Sequence, residues 1–289
     1  MEYSKFKSIF NDVIFSKSKA DLLTKVAKYS QRYIGLFRPT KPKAKLLQNL
    51  LQSHEIRFGD AFEKLIEEYM IEYGYTILNK SMSSIDGDQL SLDQFFKDDN
   101  DNYFFIEQKV RDDHDSTKKR GQILNFERKL ESIIDIYGDD NLKGFFYFID
   151  PELVKNRNFY EEELRKLSNA YGVELYVCYG EELFTLINQK NMWDEIIKHL
   201  KRWRSELPDT PEINFDLDPE HSFQEIKDLS PSVYRKLFTD DDIYNEIVLT
   251  IFPQRNVLYR LLEYFKKSEI KIYKFLVSKL DEKLNQDVV

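Results

Sequence analysis

The sequence predicts an α/β fold with helical additions at both ends, and three observations carry that reading. Strand and helix signals alternate over residues 144–179: Gly144–Ile149 is a continuous apolar run, about Phe159–Tyr171 has helical periodicity, and Val173–Tyr179 is apolar again. Two apolar-rich runs, Leu92–Lys97 and Tyr103–Val110, flank Asp98-Asp99-Asn100-Asp101-Asn102, a turn-forming composition, and so predict a β-hairpin. The first fifty residues and the stretch beyond Phe223 show helical spacing.

Taken in order, Phe6, Phe10, Val13 and Ile14 recur at helical intervals, and Leu22, Leu23, Val26 and Tyr29 do so again. The pattern stops at Phe37. Arg38-Pro39-Thr40-Lys41-Pro42-Lys43-Ala44-Lys45 then predicts an extended, lysine-bearing arm, because proline is excluded from a helix interior. Such an arm either tracks a phosphate backbone or links two helices. From Gly59 to Tyr73 the apolar residues Phe62, Leu65, Ile66, Tyr69, Met70 and Tyr73 form one helical stripe, and Gly74 stands where a helix-ending glycine belongs. Tyr75–Leu78 is strand-like and Ser81–Asp88 reads as a loop. Beyond the hairpin, Asp115 or Ser116 can cap a helix whose apolar face is Ile123, Phe126, Leu130, Ile133 and Tyr137. Helices are also expected near Glu181–Asn188 and Met192–Glu206, with Trp193 and Trp203 as packing residues. Three prolines and five acids in Leu207–Glu220 mark a junction before further helices. The implied regions are 1–55, 56–206 and 207–289.

With 289 residues, 42% hydrophobic and 15% aromatic, the chain can bury a sizeable core and is not disordered. No apolar run reaches membrane-spanning length, and the N-terminus does not read as a signal peptide. Cys178, the single cysteine, lies in an apolar strand and reads as buried, which fits a reducing cytoplasm. Glycine-rich phosphate cradles, Cys/His zinc clusters and nucleophile elbows are missing from the sequence, so ATP use and acyl transfer lack support. Net charge is −8, yet residues 1–48 hold eleven Lys/Arg against three Asp/Glu, leaving 32 against 48 for the remainder. A chain so uneven can attract a polyanion locally; the alternative is a solvated helical face.

The hairpin is where chemistry is expected. If it is symmetric about Asn100, Asp93 faces Glu107 on one side of the sheet, period-two alternation adds Lys109, and Ile106, Gln108 and Val110 face away. Like charges set opposite one another destabilise a sheet unless a cation lies between them, and Mg²⁺ prefers one or two carboxylates plus water and phosphate oxygens. Alternatively the hairpin is a solvated edge and Lys109 merely screens it. Glu63, flanking the helical stripe, can approach the same centre from behind; Asp86 and Asp88 are rival acids that the register places too far from Glu107. Lys118, Lys119 and Arg120 fall in the first turn of the following helix, where a macrodipole disfavours cations and an anion such as a DNA phosphate would suit them; the alternative is three exposed basic residues with no role. Arg111, Asp112, His114, Gln122 and Asn125, with Ser116 and Thr117 between them, are candidate DNA contacts, several able to read base edges. His114 has no second histidine at ligand spacing, which argues against zinc.

These pieces together resemble the PD-(D/E)xK nuclease superfamily, and specifically a Type II restriction endonuclease. The matching segments are the glutamate-bearing helix Arg57-Phe58-Gly59-Asp60-Ala61-Phe62-Glu63-Lys64, Leu92-Asp93 in place of Pro-Asp, and Phe105-Ile106-Glu107-Gln108-Lys109 as the E-x-K strand, followed at once by a basic segment. The resemblance spans roughly residues 57–180 and departs at Leu92, where the family often has proline. It implies a restriction-endonuclease-like core, a mixed central sheet flanked by helices. It also implies a Mg²⁺-dependent, sequence-specific cut of double-stranded DNA leaving 5′-phosphate and 3′-hydroxyl ends. Asp93 and Glu107 would bind the metal, with Lys109 acting on the water and the phosphate, and Glu63 would assist. A homodimer, a cognate DNA methyltransferase and a bacterial cytoplasm follow from the same resemblance. A structure-selective repair or recombination nuclease and a non-catalytic DNA-binding module are the alternatives.

Overall fold

The structure is a computed structural model in which residues 1–84 and 87–286 are described. Asp86, one of the rival acids, therefore lies outside the described residues. The chain forms two compact units. One comprises Met1–Phe10 and Phe58–Leu207, the other Asn11–Arg57 and the residues from Pro208 onward.

In chain order the first helices are α1 (Tyr3–Ile14), α2 (Ser18–Lys28), α3 (Gln31–Ile34) and the 31-residue α4 (Pro42–Glu72). Pro42 opens α4, which overturns the extended reading of residues 42–45. At the first helical position the missing N–H has no partner to lose and the fixed φ already suits the helix, so Lys43 and Lys45 are helical. Gly59 sits inside α4, where a Cβ would lie 3.3 Å from Val110 Cγ2, so glycine lets helix and sheet approach closely. Gly74 follows the helix at φ +87°, as expected of a terminating glycine.

The strands are β1 (Thr76–Ile77), β2 (Ser81–Ser83), β3 (Gln89–Ser91), β4 (Gln94–Lys97), β5 (Tyr103–Lys109), β6 (Leu142–Phe148) and β7 (Glu174–Tyr179). Among the described residues, five form a mixed sheet in the order β1-β4-β5-β6-β7, antiparallel through β1, β4 and β5 and parallel from β5 to β7. The helices α5 (Ser116–Tyr137) and α6 (Arg157–Tyr171) make the two crossovers between the parallel strands. The α/β reading with a mixed sheet flanked by helices is thus what the chain adopts. The hairpin register is the expected one, with Gln94↔Ile106, Phe95↔Phe105, Phe96↔Phe104 and Lys97↔Tyr103 all centred on Asn100.

The expected loop Ser81–Asp88 is partly a second small hairpin, β2 against β3, whose Met82 and Leu90 are buried. One apolar residue per three-residue strand, set among serines, is too weak a period-two signal to see in sequence. On α5 the residues Ile123, Phe126, Leu130 and Ile133 are buried as expected; Phe126 stacks on Phe105, with ring centroids 4.9 Å apart. Helices α7 (Glu181–Leu186) and α8 (Lys190–Ser205) close this unit. Trp193 and Trp203 are buried, Trp193 stacked on Phe184 and Trp203 edge-on to Phe10, so both pack rather than face a ligand. Cys178 is buried, and burial pushes its thiol pKa up, away from reactivity.

The second unit is helical. Leu22, Leu23, Val26, Leu46 and Leu50 pack with Tyr234, Ile247, Leu258, Leu261, Phe265 and Leu280. The junction segment contributes Ile213 and Phe215 to this core, and the Asp216 carboxylate accepts the backbone N–H groups of Gln254 and Val257, each at 2.9 Å. Among the described residues no helix is long and apolar enough to cross a membrane.

Candidate active site

Asp93 stands one residue ahead of β4, just outside the ladder. Its Oδ2 accepts the Gln108 backbone N–H at 2.7 Å, which fixes the carboxylate against the end of β5. Glu107 and Lys109 project from β5 to the same side: Lys109 Nζ donates to Glu107 Oε1 at 2.6 Å and to Asp93 Oδ2 at 3.4 Å. The three residues singled out in the hairpin therefore converge on one ammonium nitrogen. Burial lowers the Lys109 pKa, but the Glu107 and Asp93 charges outweigh it and hold the group above its ordinary value, so it is a cation here.

A fourth participant escaped the sequence reading. Lys129, on α5, is buried; its Nζ donates to Glu107 Oε2 at 2.5 Å and lies 3.9 Å from Asp93 Oδ1. Both Glu107 oxygens are thereby held, one by each lysine. The clue was available: position 129 lies three residues after Phe126 and four before Ile133, inside the stripe that faces the sheet, where an unpartnered lysine is very costly.

Glu63 approaches from α4, as expected. Its Oε1 accepts from Lys80 Nζ at 2.8 Å, and Lys80 also donates to Glu67 Oε2 at 2.8 Å and to the Asp93 carbonyl at 3.2 Å. Gln94 Nε2 donates to the Glu63 carbonyl at 2.6 Å and Gln108 Nε2 to the Gly59 carbonyl at 3.3 Å, so two buried amides fasten α4 to β4 and β5. Burial chiefly raises the Glu63 pKa, Lys80 opposes the rise and the Asp93 charge adds to it. A cleft of about 260 Å³ opens between Glu63 and Asp60 on α4 and Asp93, Gln108 and Lys109 on the sheet.

Among the described residues no three His, Cys, Asp or Glu side chains form a metal cage. A hard cation that takes one or two carboxylates and completes its shell with water and phosphate oxygens fits the donor chemistry of Asp93 and Glu107, which already face a cation, the Lys109 ammonium; of the two carboxylates Asp93 lines the cleft and Glu107 is buried.

The candidate DNA contacts divide. Arg111 is exposed, its Nε 3.9 Å from Asp150. Ser116, Thr117, Lys118 and Arg120 are exposed on the first turn of α5, while Gln122 and Asn125 are half-buried and Gln122 Oε1 accepts from Tyr160 Oη at 2.7 Å. Two expectations are overturned by burial. Asp112 is fully buried and accepts from the Asn156 backbone N–H, from Asn156 Nδ2 at 2.7 Å and from Tyr179 Oη at 3.0 Å, so it ties the loop after β5 to the loop after β6 and reads no base. His114 is also buried, and burial together with Lys118 lowers its pKa. The first-turn anion site is altered too. Asp115 Oδ1 accepts the N–H groups of Thr117 and Lys118 at 3.1 and 2.8 Å, so the helix brings its own anion. Lys119 is held at 3.1 Å from Asn156 Oδ1 and 4.3 Å from the Phe159 ring centre.

A sequence model of the family described as HinfI, Type II restriction endonuclease, matches residues 2–85 and 68–204. Searches of curated proteins and of solved structures give no match. The matched segments run from residue 2 to residue 204 of 289, well over half of the chain, and include the helix bearing Glu63 and the strands bearing Asp93, Glu107 and Lys109. The chain belongs to the HinfI family of Type II restriction endonucleases.

Proposed function

We propose that this protein is a Mg²⁺-dependent endodeoxyribonuclease that cuts double-stranded DNA at a specific sequence and leaves 5′-phosphate and 3′-hydroxyl ends. The observation that carries the reading is the convergence of Asp93 and Glu107 on Lys109 Nζ, with Asp93 and Lys109 also lining a cleft. In this scheme Asp93 and Glu107 hold the ion. Bound there, Mg²⁺ supplies Lewis-acid polarisation of a phosphoryl oxygen and a more acidic water.

The chain's own side chains do the rest. Lys109 donates to the attacking water and to the phosphate oxygens as charge gathers on them, a preorganised electrostatic contribution. Lys129 holds Glu107 from its buried side. Glu63, tethered through Lys80, lines the opposite wall of the cleft and helps orient solvent. Arg111, Ser116, Thr117, Lys118, Arg120 and Asn125 are proposed to face the duplex, with cations on phosphates and the amide on a base edge. A palindromic target implies a homodimer, since two-fold protein symmetry mirrors two-fold site symmetry. A DNA methyltransferase of matching specificity would protect the host, a bacterial cell whose cytoplasm holds both.

The test is digestion of a plasmid of known sequence by purified protein with Mg²⁺ and with EDTA, followed by mapping of the ends. Discrete fragments with 5′-phosphates, formed only with the ion, are expected. Cleavage in EDTA, or a random ladder in place of bands, would overturn the proposal.

A further inference from the structure

The stretch from residue 22 to residue 54 contains seven Lys/Arg and no Asp/Glu, in a chain whose net charge is −8. Elsewhere lysines are commonly paired: Lys5, Lys80, Lys97, Lys109 and Lys129 all have carboxylate partners within 3 Å. Among the described residues none of Lys25, Lys28, Arg32, Arg38, Lys41, Lys43 and Lys45 forms an ion pair with a carboxylate, and all but Lys25 and Lys45 are exposed. Lys28 and Arg32 both lie over the Tyr29 ring, at 5.1 and 4.4 Å from its centre, which keeps two like charges close together.

In the middle of this cationic stretch, between α3 and α4, Leu36 and Phe37 are 89% and 97% exposed. Two adjacent large apolar side chains in water are costly relative to burial. The local chain is built to present them. Gly35 leaves α3 where any Cβ would collide with the Gln31 carbonyl, and Pro39 and Pro42 restrict φ on the return, so little freedom is lost when the tip engages a partner.

We propose that residues 28–45 form a DNA-binding element in which Leu36 and Phe37 insert as a wedge between base steps while Arg38, Lys41 and Lys43 take the flanking phosphates. An apolar wedge rimmed by cations is the chemistry with which side chains unstack and bend a duplex. A second copy of this chain is a poorer occupant, because a two-fold contact would set these unpaired cations against themselves. The inference rests on the nuclease reading for its partner, and the test separates the two.

Full-length protein, Leu36→Ser/Phe37→Ser and Arg38→Ala/Lys41→Ala/Lys43→Ala are compared with Ca²⁺ in place of Mg²⁺. Affinity for a linear plasmid fragment is measured against salt, and unwinding by relaxing plasmid with a metal-independent topoisomerase in the presence of protein. The wedge variant is expected to bind roughly tenfold more weakly with the same salt slope, and to lose the shift in topoisomers. The triple variant is expected to keep the shift and reduce the slope by roughly 0.9 for each phosphate it no longer neutralises. Wild-type affinity and unwinding in the wedge variant overturn the proposal. So does a wild-type dimer that the wedge variant dissolves while DNA binding is kept, or capture by anionic vesicles with no effect on DNA. Wild-type protein that leaves the fragment intact in Mg²⁺ overturns the nuclease reading alone; the Ca²⁺ measurements still judge the wedge.

Discussion

Lys129 Nζ lies 2.5 Å from Glu107 Oε2, joining a buried lysine of α5 to a buried glutamate of β5 that Lys109 holds from the other side. A carboxylate out of water with both oxygens bonded to ammonium groups has one orientation, and the site is aligned before any ligand arrives.

Removing Lys129 therefore leaves a half-compensated buried charge. Lys129→Met is expected to lower stability by about 3 kcal/mol, and the double variant Lys129→Met/Glu107→Gln to recover part of that loss. Urea unfolding of the four proteins in the cycle measures the coupling. Additive losses would show that the pair is not a unit.

Asp112 is expected to matter for folding and not for reading sequence. Asp112→Ala abandons an Asn156 amide and the Tyr179 hydroxyl in the interior, a cost of about 2–3 kcal/mol. Thermal melting reads that loss. The fragments still produced at low temperature should map to the wild-type positions, and a changed cutting pattern would restore Asp112 to the recognition surface.

His54 and His114 give stability an acid-side dependence. His54 Nε2 and His114 Nδ1 are buried without hydrogen-bond partners. Burial, helped by Arg57 for His54 and by Lys118 for His114, lowers both pKa values below 6.5. The unfolded chain then binds protons more readily, so this contribution is intact above pH 6.5 and shrinks as pH falls from there towards the folded-state values. Unfolding measured from pH 8 to pH 5 should decline less in His54→Gln/His114→Gln than in the wild type. Parallel curves would contradict this.

Lys118 and Arg120 are the cations of the first α5 turn that stay exposed, whereas Lys119 is occupied by Asn156 and Phe159. Lys118→Ala/Arg120→Ala is expected to weaken DNA binding in Ca²⁺ and flatten its salt dependence by roughly 0.9 per phosphate released, with Lys119→Ala changing the slope less. Equal effects from all three would mean that Lys119 leaves its partners to bind DNA.

The hairpin register was legible because an acidic, strand-breaking turn fixed its centre and period-two alternation then placed Glu107 and Lys109 on one side. Asp93 lies beside Glu107 and Lys109 but outside the ladder, held by the Gln108 N–H, an interaction that depends on backbone direction beyond the strand end. Residues 42–45 misled because proline signals a break from either side, and only the downstream chain shows that Pro42 opens a helix. Asp112 misled because a polar, charged segment looks solvated; its burial rests on Asn156 and Tyr179, which are 44 and 67 residues away. Lys129 hid in the opposite way, as one charge on an apolar stripe, and its partner became visible only once α5 was packed on the sheet.

If Asp93, Glu107 and Lys109 act as one hydrolytic centre, single-turnover cleavage of a mapped plasmid in Mg²⁺ depends on each of them. Asp93→Asn, Glu107→Gln and Lys109→Ala should each slow the cut by at least about a hundredfold, with DNA affinity in Ca²⁺ retained by Lys109→Ala. Wild-type cleavage rates in any of the three variants would mean that the three side chains do not form such a centre.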